Sequence, residues 1–490
     1  MAQLQQLKSS TINGVIWGTL SRVYSLGVQF AITIVLSRLL APEDFGTIGA
    51  LSVFSMVCQI LVDSGFSQAL IRESNPSSAD YSSVFFFNLI VSSCLYLLLF
   101  VLSPNIESFF QISQLSKISR LVFLQLVIHS LSIVPSAVLS RELQYKKLSI
   151  VGVVAISFSA VAGISAAFLG LGVYAIVIQL LVQSVVYSLL IWVVSKWKLY
   201  FVFSIDSIKR LFRFSFYLLL SGLIITFFNN LYTILIGRFY SQTQLGYYTQ
   251  AKKLEEVPNL SITTMIQNVS YSAMSKVKDD LVLLKSAYKK VIGMNLFVVV
   301  PIMLFCFVSA DSLIPFLFGT KWLPSIPYFK ILCIYGAIFP LQSINGNILK
   351  ILGLGRRYLL QECVRRLLMI LFIFLTIRHG IEQMLWGWTI SLLLSILFSF
   401  IICGKPISYP LYKQILDQLP LYCIVMVSSI IPYCMPLFLN FSYFPMVLMQ
   451  LLLFFVCFIS LSRVFKLQAF LDVYDFVMGK IQNIIPQKKI

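Results

Sequence analysis

The sequence has few charged residues: Asp, Glu, Lys and Arg make up only 11% of its 490 residues, whereas an average soluble protein has about 25%. Hydrophobic residues make up 59% of the chain, which excludes an ordinary soluble domain and indicates a polytopic membrane protein. The net charge of +19 lies in short basic clusters between apolar runs. Because such clusters orient membrane helices, the excess predicts no nucleic-acid partner.

Metal and redox motifs are also missing. The two histidines, His129 and His379, are far apart in the sequence, and none of the nine cysteines forms a C-x-x-C pair. We therefore predict no metal site, and we interpret the cysteines as free thiols rather than as ligands or disulfides.

The sequence lacks the features of a membrane enzyme. It has no phosphate-binding G-x-x-x-x-G-K-[ST] motif, no large outer loop with paired carboxylates and no nucleophile with a matching base. The N-terminus shows no cleavage site of a removable signal peptide. We predict a transporter rather than an enzyme, with no cofactor; H⁺ and Na⁺ are the candidate coupling ions.

Apolar runs divide the chain into about fourteen membrane spans. Their predicted centres are residues 27, 54, 92, 130, 159, 183, 227, 263, 300, 338, 371, 393, 427 and 452. Placing the N-terminus in the cytoplasm puts most lysines and arginines in cytoplasmic segments, as the positive-inside rule requires. We therefore predict that both termini are cytoplasmic.

The opening stretch of the chain is repeated after an interval of 200 residues. This offset relates Ser21 to Ser221, Gln29 to Asn229, Thr33 to Thr233, Arg38 to Arg238 and Gly46 to Gly246. Six spans separate the two copies, so both cross the membrane in the same direction. The repeat predicts two six-helix lobes related by a pseudo-two-fold axis along the membrane normal. The predicted divisions are an N-terminal lobe (1–195), a cytoplasmic linker (196–213), a C-terminal lobe (214–404), and two extra helices with a cytoplasmic tail (405–490).

Small and polar residues form a stripe along the first two spans of each half, at the three- or four-residue spacing that aligns one helix face. The stripes are Gly18, Arg22, Ser25, Gln29 and Thr33; Ser52, Ser55, Gln59 and Asp63; Gly222, Thr226, Asn229, Asn230 and Thr233; and Lys252, Glu255, Glu256, Asn259, Thr263 and Gln267. Because polar side chains facing lipid are costly, we predict that the four stripes face a polar cavity between the lobes.

Two cations stand out in these stripes, one from each half. Arg22 and Lys252 could hold an anionic substrate, since the planar guanidinium suits a phosphate group. The alternative is that Arg22 pairs within the protein and Lys252 pairs with Glu256 one turn further on. The full set of predicted substrate-binding residues is Arg22, Gln29, Asn229, Asn230, Lys252 and Asn259.

Three carboxylates are candidates for coupling or gating, because a carboxylate in a partly dry site can titrate. They are Asp63, Glu255 and Glu256. The alternatives are an ion pair with Lys252 for the two glutamates, and a plain turn at the membrane interface for Asp63.

Three motifs carry a resemblance to a known family. The stretches V-L-S-R-L-L-A-P-E-D-F-G-T-I-G (Val35–Gly49), D-S-G-F-S-Q-A-L-I (Asp63–Ile71) and P-S-A-V-L-S-R-E-L-Q-Y-K (Pro135–Lys146) resemble the polysaccharide flippases of lipopolysaccharide and capsule biosynthesis. These flippases belong to the multidrug/oligosaccharidyl-lipid/polysaccharide exporter superfamily. The resemblance implies fourteen helices and a bacterial inner membrane location.

The implied activity is movement of an undecaprenyl-diphosphate-linked oligosaccharide from the cytoplasmic to the outer leaflet by alternating access between the lobes. The resemblance implies that Arg22, and less strongly Lys252, meets the lipid pyrophosphate or acidic sugars. The expected partners are this substrate, membrane lipid and other polysaccharide-assembly proteins, and we expect a monomer. The alternative is a multidrug/cation antiporter of the same fold, which would need an acidic cavity.

Overall fold

The computed structural model describes residues 2–439 and 441–473. Within these ranges the chain is helical and contains no β-strand. The α-helices are α1 (Ala2–Leu39), α2 (Pro42–Asp63), α3 (Phe66–Arg72), α4 (Ser78–Phe110), α5 (Leu115–Arg141), α6 (Tyr145–Phe168), α7 (Val173–Ser195), α8 (Ile205–Phe239), α9 (Gln242–Ser275), α10 (Leu281–Phe318), α11 (Ile326–Ile351), α12 (Gly355–Thr376), α13 (Ile381–Gly404), α14 (Leu411–Phe438) and α15 (Tyr443–Val464). The end of the predicted cytoplasmic tail, residues 474–490, lies outside the described residues.

The predicted all-helical membrane fold is confirmed. Each predicted centre lies in its own helix, and the shortest of these helices have 22 residues. Only α3, with seven residues, has no predicted span of its own. In the described part of the chain, twelve spans are long and apolar enough to cross a membrane; α9 and α12 are long enough but carry too many charged and polar residues.

The helix boundaries repeat the 200-residue offset of the sequence. Helix α1 ends at Leu39 and α2 begins at Pro42, while α8 ends at Phe239 and α9 begins at Gln242. Proline at the first helical position suits α2 because its missing N–H would have had no partner there. The Asp44 carboxylate accepts a hydrogen bond from the Ala41 N–H at 3.0 Å, which stabilises the same helix start.

The chain forms two compact units, Met1–Thr249 and Gln250–Ile490. In the first unit, α6 packs against α1 and α7, α5 packs against α4 and α7, and α8 packs against α2, α3 and α4. In the second unit, α10 packs against α11, α14 and α15, and α13 packs against α11 and α12. The predicted lobe boundaries at residues 195 and 214, and the pseudo-two-fold axis, stay predictions.

Candidate functional site

Helix α1 presents its polar stripe away from its neighbour α6. Tyr24 faces α6, where its hydroxyl lies 3.0 Å from the Ser157 hydroxyl. Arg22 is two residues earlier, which places it about 200° around the helix from Tyr24. The Arg22 side chain is exposed, and it has no hydrogen-bond or ion-pair partner among the residues that the structure describes. Gln29, two turns further on, is exposed as well.

The corresponding stripe on α8 is more enclosed. Gly222, the repeat partner of Arg22, lies against α2: a Cβ at this position would be 3.2 Å from Ile60 Cγ2. The Asn230 amide donates to the Thr226 carbonyl at 2.9 Å, within its own helix, while Asn229 is exposed. Position 22 therefore carries its cation on an exposed face, whereas a side chain at position 222 would press on Ile60.

Asp63, the last residue of α2, caps the start of α3. Its Oδ1 accepts hydrogen bonds from the Ser67 hydroxyl at 2.5 Å and from the Ser67 backbone N–H at 3.2 Å. Ser64 and Gly65, between the two helices, have φ values of 48° and 75°, in the left-handed region. This geometry is that of a plain turn, which was the alternative interpretation of Asp63. The gating role of Asp63 stays a prediction.

The stripe on α9 contains an ion pair near its start. Lys252 Nζ lies 3.6 Å from Glu256 Oε1, one turn further along the helix. The Lys252 side chain is 14% exposed and that of Glu256 is 41% exposed. The structure therefore has the alternative arrangement, in which Lys252 pairs with Glu256. Such an ion pair does not prevent contact with a substrate.

A ladder of buried polar groups follows on the same helix. The Asn259 amide donates to Glu255 Oε1 at 2.6 Å, and the Thr263 hydroxyl lies 3.4 Å from Asn259 Oδ1. All three residues are buried, with Glu255 only 4% exposed. Glu255 has no ion-pair partner within the described residues.

The Glu255 carboxylate occupies a notch that sequence reasoning missed. A Cβ at Gly336, on α11, would collide with Glu255 Oε1 and would lie 2.8 Å from Met303 Sδ. Val299, Met303 and Ala337 form a buried apolar cluster beside it. Because the notch comes from a helix far away in the sequence, nothing in the local pattern around Gly336 marks it.

A second contact unforeseen from the sequence joins the two copies of the repeat within the first unit. A Cβ at Gly46 would collide with the Gln242 carbonyl oxygen, and a Cβ at Gly246 would collide with the Pro42 carbonyl oxygen. The two glycines thus let the first turns of α2 and α9 touch backbone to backbone. We call this meeting of residues 42–49 with residues 242–249 the corner contact.

Side chains reinforce the corner contact. The Thr243 hydroxyl donates to Glu43 Oε1 at 2.6 Å. The Gln242 amide donates to the Glu43 carbonyl at 2.9 Å and to the Thr47 hydroxyl at 2.7 Å. Positions 46 and 246, which the repeat only aligned in sequence, are therefore in direct contact in space.

The described residues contain no group of three or more His, Cys, Asp or Glu side chains that could hold a metal ion. The first unit offers an exposed cation on α1, and the second unit offers an ion pair on α9 and a buried carboxyl beside α11. An exposed cation can bind anionic groups, and a buried carboxyl can exchange a proton.

The fold resembles that of known membrane proteins. The fold is similar to that of a solved structure of the lipid II flippase MurJ in an inward closed conformation, with a TM-score of 0.75 at 14% sequence identity; the match covers 92% of this chain and 98% of the other. At this identity the likeness shows the fold alone, that of a multi-pass membrane protein.

The sequence comparisons then identify the family. The family described as "Polysaccharide biosynthesis protein" matches residues 35–327, more than half of the chain, and the chain belongs to this family. The teichuronic acid biosynthesis protein TuaB of Bacillus subtilis (strain 168) is 26% identical over 351 residues, which are 71% of this chain and 72% of TuaB. The succinoglycan biosynthesis transport protein ExoT of Rhizobium meliloti (strain 1021) is 24% identical over 341 residues, 69% of each chain.

The resemblance predicted from the three sequence motifs is therefore confirmed: the relatives are polysaccharide biosynthesis and transport proteins, and the fold is similar to that of MurJ. All three motifs lie within the matched residues.

Proposed function

We propose that this protein flips an undecaprenyl-diphosphate-linked oligosaccharide from the cytoplasmic to the outer leaflet of a bacterial inner membrane. The substrate class is supported by the family and by relatives that are named for teichuronic acid and succinoglycan biosynthesis. The mode of action is supported by a fold similar to that of a lipid II flippase.

The observation that carries the proposal is the exposed guanidinium of Arg22 on a helix long and apolar enough to span a membrane. A cation facing lipid is costly, so Arg22 is expected to face a water-filled space. Its planar fork can hold two phosphate oxygens at once. Lys252 is a weaker candidate for this role because Glu256 already pairs with it.

Glu255 is the best candidate for coupling, with a proton as the coupling ion. Glu255 is buried, and its described hydrogen-bond partner is the amide of Asn259. Lys252 pairs with Glu256 instead, so no ion pair within the described part of the chain neutralises the Glu255 carboxylate. An apolar notch accommodates the neutral acid more readily than the carboxylate, so exposure of the notch during transport would allow proton release.

The corner contact supports alternating access. We propose that the predicted cavity closes where residues 42–49 meet residues 242–249, both in the first unit, and that these turns separate when the cavity opens to the other side. Backbone contact makes a tight seal, while the few side-chain hydrogen bonds can exchange with water as the turns separate.

The experiment that tests the proposed function replaces Arg22. Arg22→Gln should abolish surface polysaccharide and leave lipid-linked oligosaccharide inside the cell, because the neutral amide cannot bind the pyrophosphate. Arg22→Lys should retain part of the export, since it keeps the charge but loses the bidentate fork. The readouts are surface glycan staining and the amount of protein in the membrane fraction.

A matched control is Lys117→Gln, which removes an exposed cation at the start of α5, outside the stripes. This variant should display normal glycan. Normal display by Arg22→Gln at equal protein level would remove Arg22 from the substrate site.

The alternative, a cation antiporter, is favoured by one observation, the buried Glu255. It predicts efflux of a cationic dye that disappears in Glu255→Gln, with surface polysaccharide unaffected. The flippase proposal predicts the opposite: no dye efflux and loss of surface polysaccharide.

A further inference from the structure

The segment that joins α7 to α8 is not helical, and it is held on the protein surface. We call residues 196–204 the linker strap. The Tyr200 N–H donates to the Ser82 hydroxyl at 3.3 Å, and the Ser204 N–H donates to the Ser83 hydroxyl at 2.8 Å. These two bonds fix the strap across the first turns of α4, so its position is part of the fold of the first unit.

Early in the strap, alternate side chains point into the protein. Trp197 and Leu199 pack against the buried cluster that contains Phe85. The centroid of the Trp197 ring lies 5.7 Å from the ring centroid of Phe85 and 5.3 Å from that of Trp192. Inward residues therefore anchor the strap, which leaves the other side chains to face outward.

The outward side of the strap is aromatic and apolar. Tyr200, Phe201, Val202 and Phe203 are consecutive and all exposed, and Phe201 is 89% exposed. Ile205, the first residue of α8, continues this surface with 61% exposure. Apolar patches of this kind on a protein surface mark contact with another protein or with a membrane.

Basic side chains precede and follow this aromatic stretch in the sequence. Lys196, Lys198, Lys209 and Arg213 are exposed, and within residues 2–439 and 441–473 none of the four forms an ion pair. Arg210 differs, because it binds the buried Asp80 carboxylate at 2.7 Å. Four cations are thus available to an outside partner.

We propose that the linker strap is an interfacial anchor that binds the headgroups of anionic lipids, with its aromatic rings at the level of the headgroups. Irregular backbone exposed to lipid cannot lie in the hydrocarbon core, where its polar groups would lack partners, so the strap belongs at the interface. Aromatic rings concentrate at that level, and clusters of lysine and arginine attract anionic headgroups. The predicted orientation assigns the strap to the cytoplasmic leaflet.

The anchor is independent of the transported substrate. If the strap binds lipid, the first unit, whose fold includes the strap, is tied to the membrane surface at the segment predicted to link the two lobes. A soluble protein docking on the same surface is the competing occupant, and the experiment below separates the two.

The test uses the full chain in lipid nanodiscs, with the nine native cysteines replaced. Phe201→Cys is labelled with the polarity-sensitive dye NBD. The matched control is Asn75→Cys, an exposed position in the loop between α3 and α4, which the orientation places on the same side of the membrane. Discs are made from phosphatidylcholine with and without phosphatidylglycerol, and quenching is compared for lipids brominated near the headgroup and deep in the chain.

The expected result is blue-shifted NBD emission at position 201, stronger quenching by the shallow bromines than by the deep ones, and a shift that grows with phosphatidylglycerol. Combining Lys196→Gln, Lys198→Gln, Lys209→Gln and Arg213→Gln should remove the dependence on phosphatidylglycerol. The dye at position 75 should report water in all discs. Size-exclusion elution verifies that the variants remain folded, and Arg210 is left unchanged because it binds Asp80.

Three results would overturn the proposal. Water-like emission at position 201, equal to that at position 75, would leave the surface to a soluble partner. Stronger quenching by the deep bromines would place the strap in the hydrocarbon core. A signal that neither phosphatidylglycerol nor the four glutamine substitutions change would exclude recognition of anionic lipid.

Discussion

At the scale of single residues, the two principal site residues are in opposite environments. Arg22 is exposed on α1, whereas Glu255 is buried in a notch on α9 with an amide as its described hydrogen-bond partner. A charge is stable where water can reach it and costly where water cannot. Arg22 therefore suits the binding of an anion, and Glu255 suits the exchange of a proton.

The Glu255 notch exists because position 336 has no side chain. Gly336→Ala would place a Cβ against Glu255 Oε1 and Met303 Sδ, atoms on two other helices. Both atoms belong to flexible side chains, but Glu255 and Met303 are buried and Glu255 is hydrogen-bonded to Asn259, so neither can move aside freely. Overpacking a tight interior costs about 1–3 kcal/mol, against the roughly 1 kcal/mol that alanine gains over glycine in a helix. We expect a lower midpoint of thermal unfolding in detergent.

Gly152→Ala, on α6, is the matched control because a Cβ there meets no atom within 4 Å. This variant should unfold at the same temperature as the unmodified protein or slightly above it. Equal midpoints for the alanine variants at 336 and 152 would show that the notch around Glu255 has space to spare.

At the scale of helices, the corner contact depends on the repeated glycine. Gly46 and Gly246 each remove the side chain that would collide with a carbonyl oxygen of the opposite helix. A carbonyl oxygen of a helix cannot rotate aside as a flexible side chain can. The contact should therefore be sensitive to a single methyl group on either helix.

The cysteine pair Gly49→Cys and Thr249→Cys measures this contact, since a Cβ at position 49 would lie 3.5 Å from the Thr249 Cβ, a separation that a disulfide can bridge. In a chain without the native cysteines, oxidation should cross-link the pair and stop glycan export, and reduction should restore export. Adding Gly46→Ala should lower the cross-linking yield severalfold, while Gly152→Ala should not. Continued export by the cross-linked protein would contradict the proposal that the corner contact must open.

At the scale of the whole molecule, the basic clusters predict its orientation in the membrane. The loop between α6 and α7, residues 169–172, should be outside the cytoplasm, and the linker strap should be inside. Alkaline phosphatase, which is active only outside the cytoplasm, should therefore be active when fused within residues 169–172 and inactive when fused within residues 196–204. Fusions of green fluorescent protein, which fluoresces only inside the cytoplasm, are the control. Alkaline phosphatase activity at both positions, or at neither, would refute the orientation.

The helices themselves could be predicted from the sequence. Hydropathy and length determine a membrane helix locally, because each span must satisfy its own backbone hydrogen bonds. The predicted centres at residues 263 and 371 also lie in helices, α9 and α12, but these two helices are not among the twelve that are apolar enough to span a membrane. The repeat also predicted the end of α1 and of α8 at matching residues.

Single stripes of polar residues were visible in the sequence, but what each polar residue contacts was not. Asp63 caps α3, Gly222 lies against Ile60, and Gly336 makes room for Glu255. The roles of Arg22, Gln29, Asn229, Asn230, Lys252 and Asn259 in substrate binding stay predictions.

The sequence by itself determined the class of protein, the number of long helices and the internal repeat, because these follow from local hydropathy and residue spacing. Only the tertiary structure decided that Gly46 meets Gln242 and Glu255 meets Gly336, and which side chains of the linker strap face outward. Those contacts join segments far apart in the chain. They depend on how closely particular helices and loops approach each other, which no local pattern records.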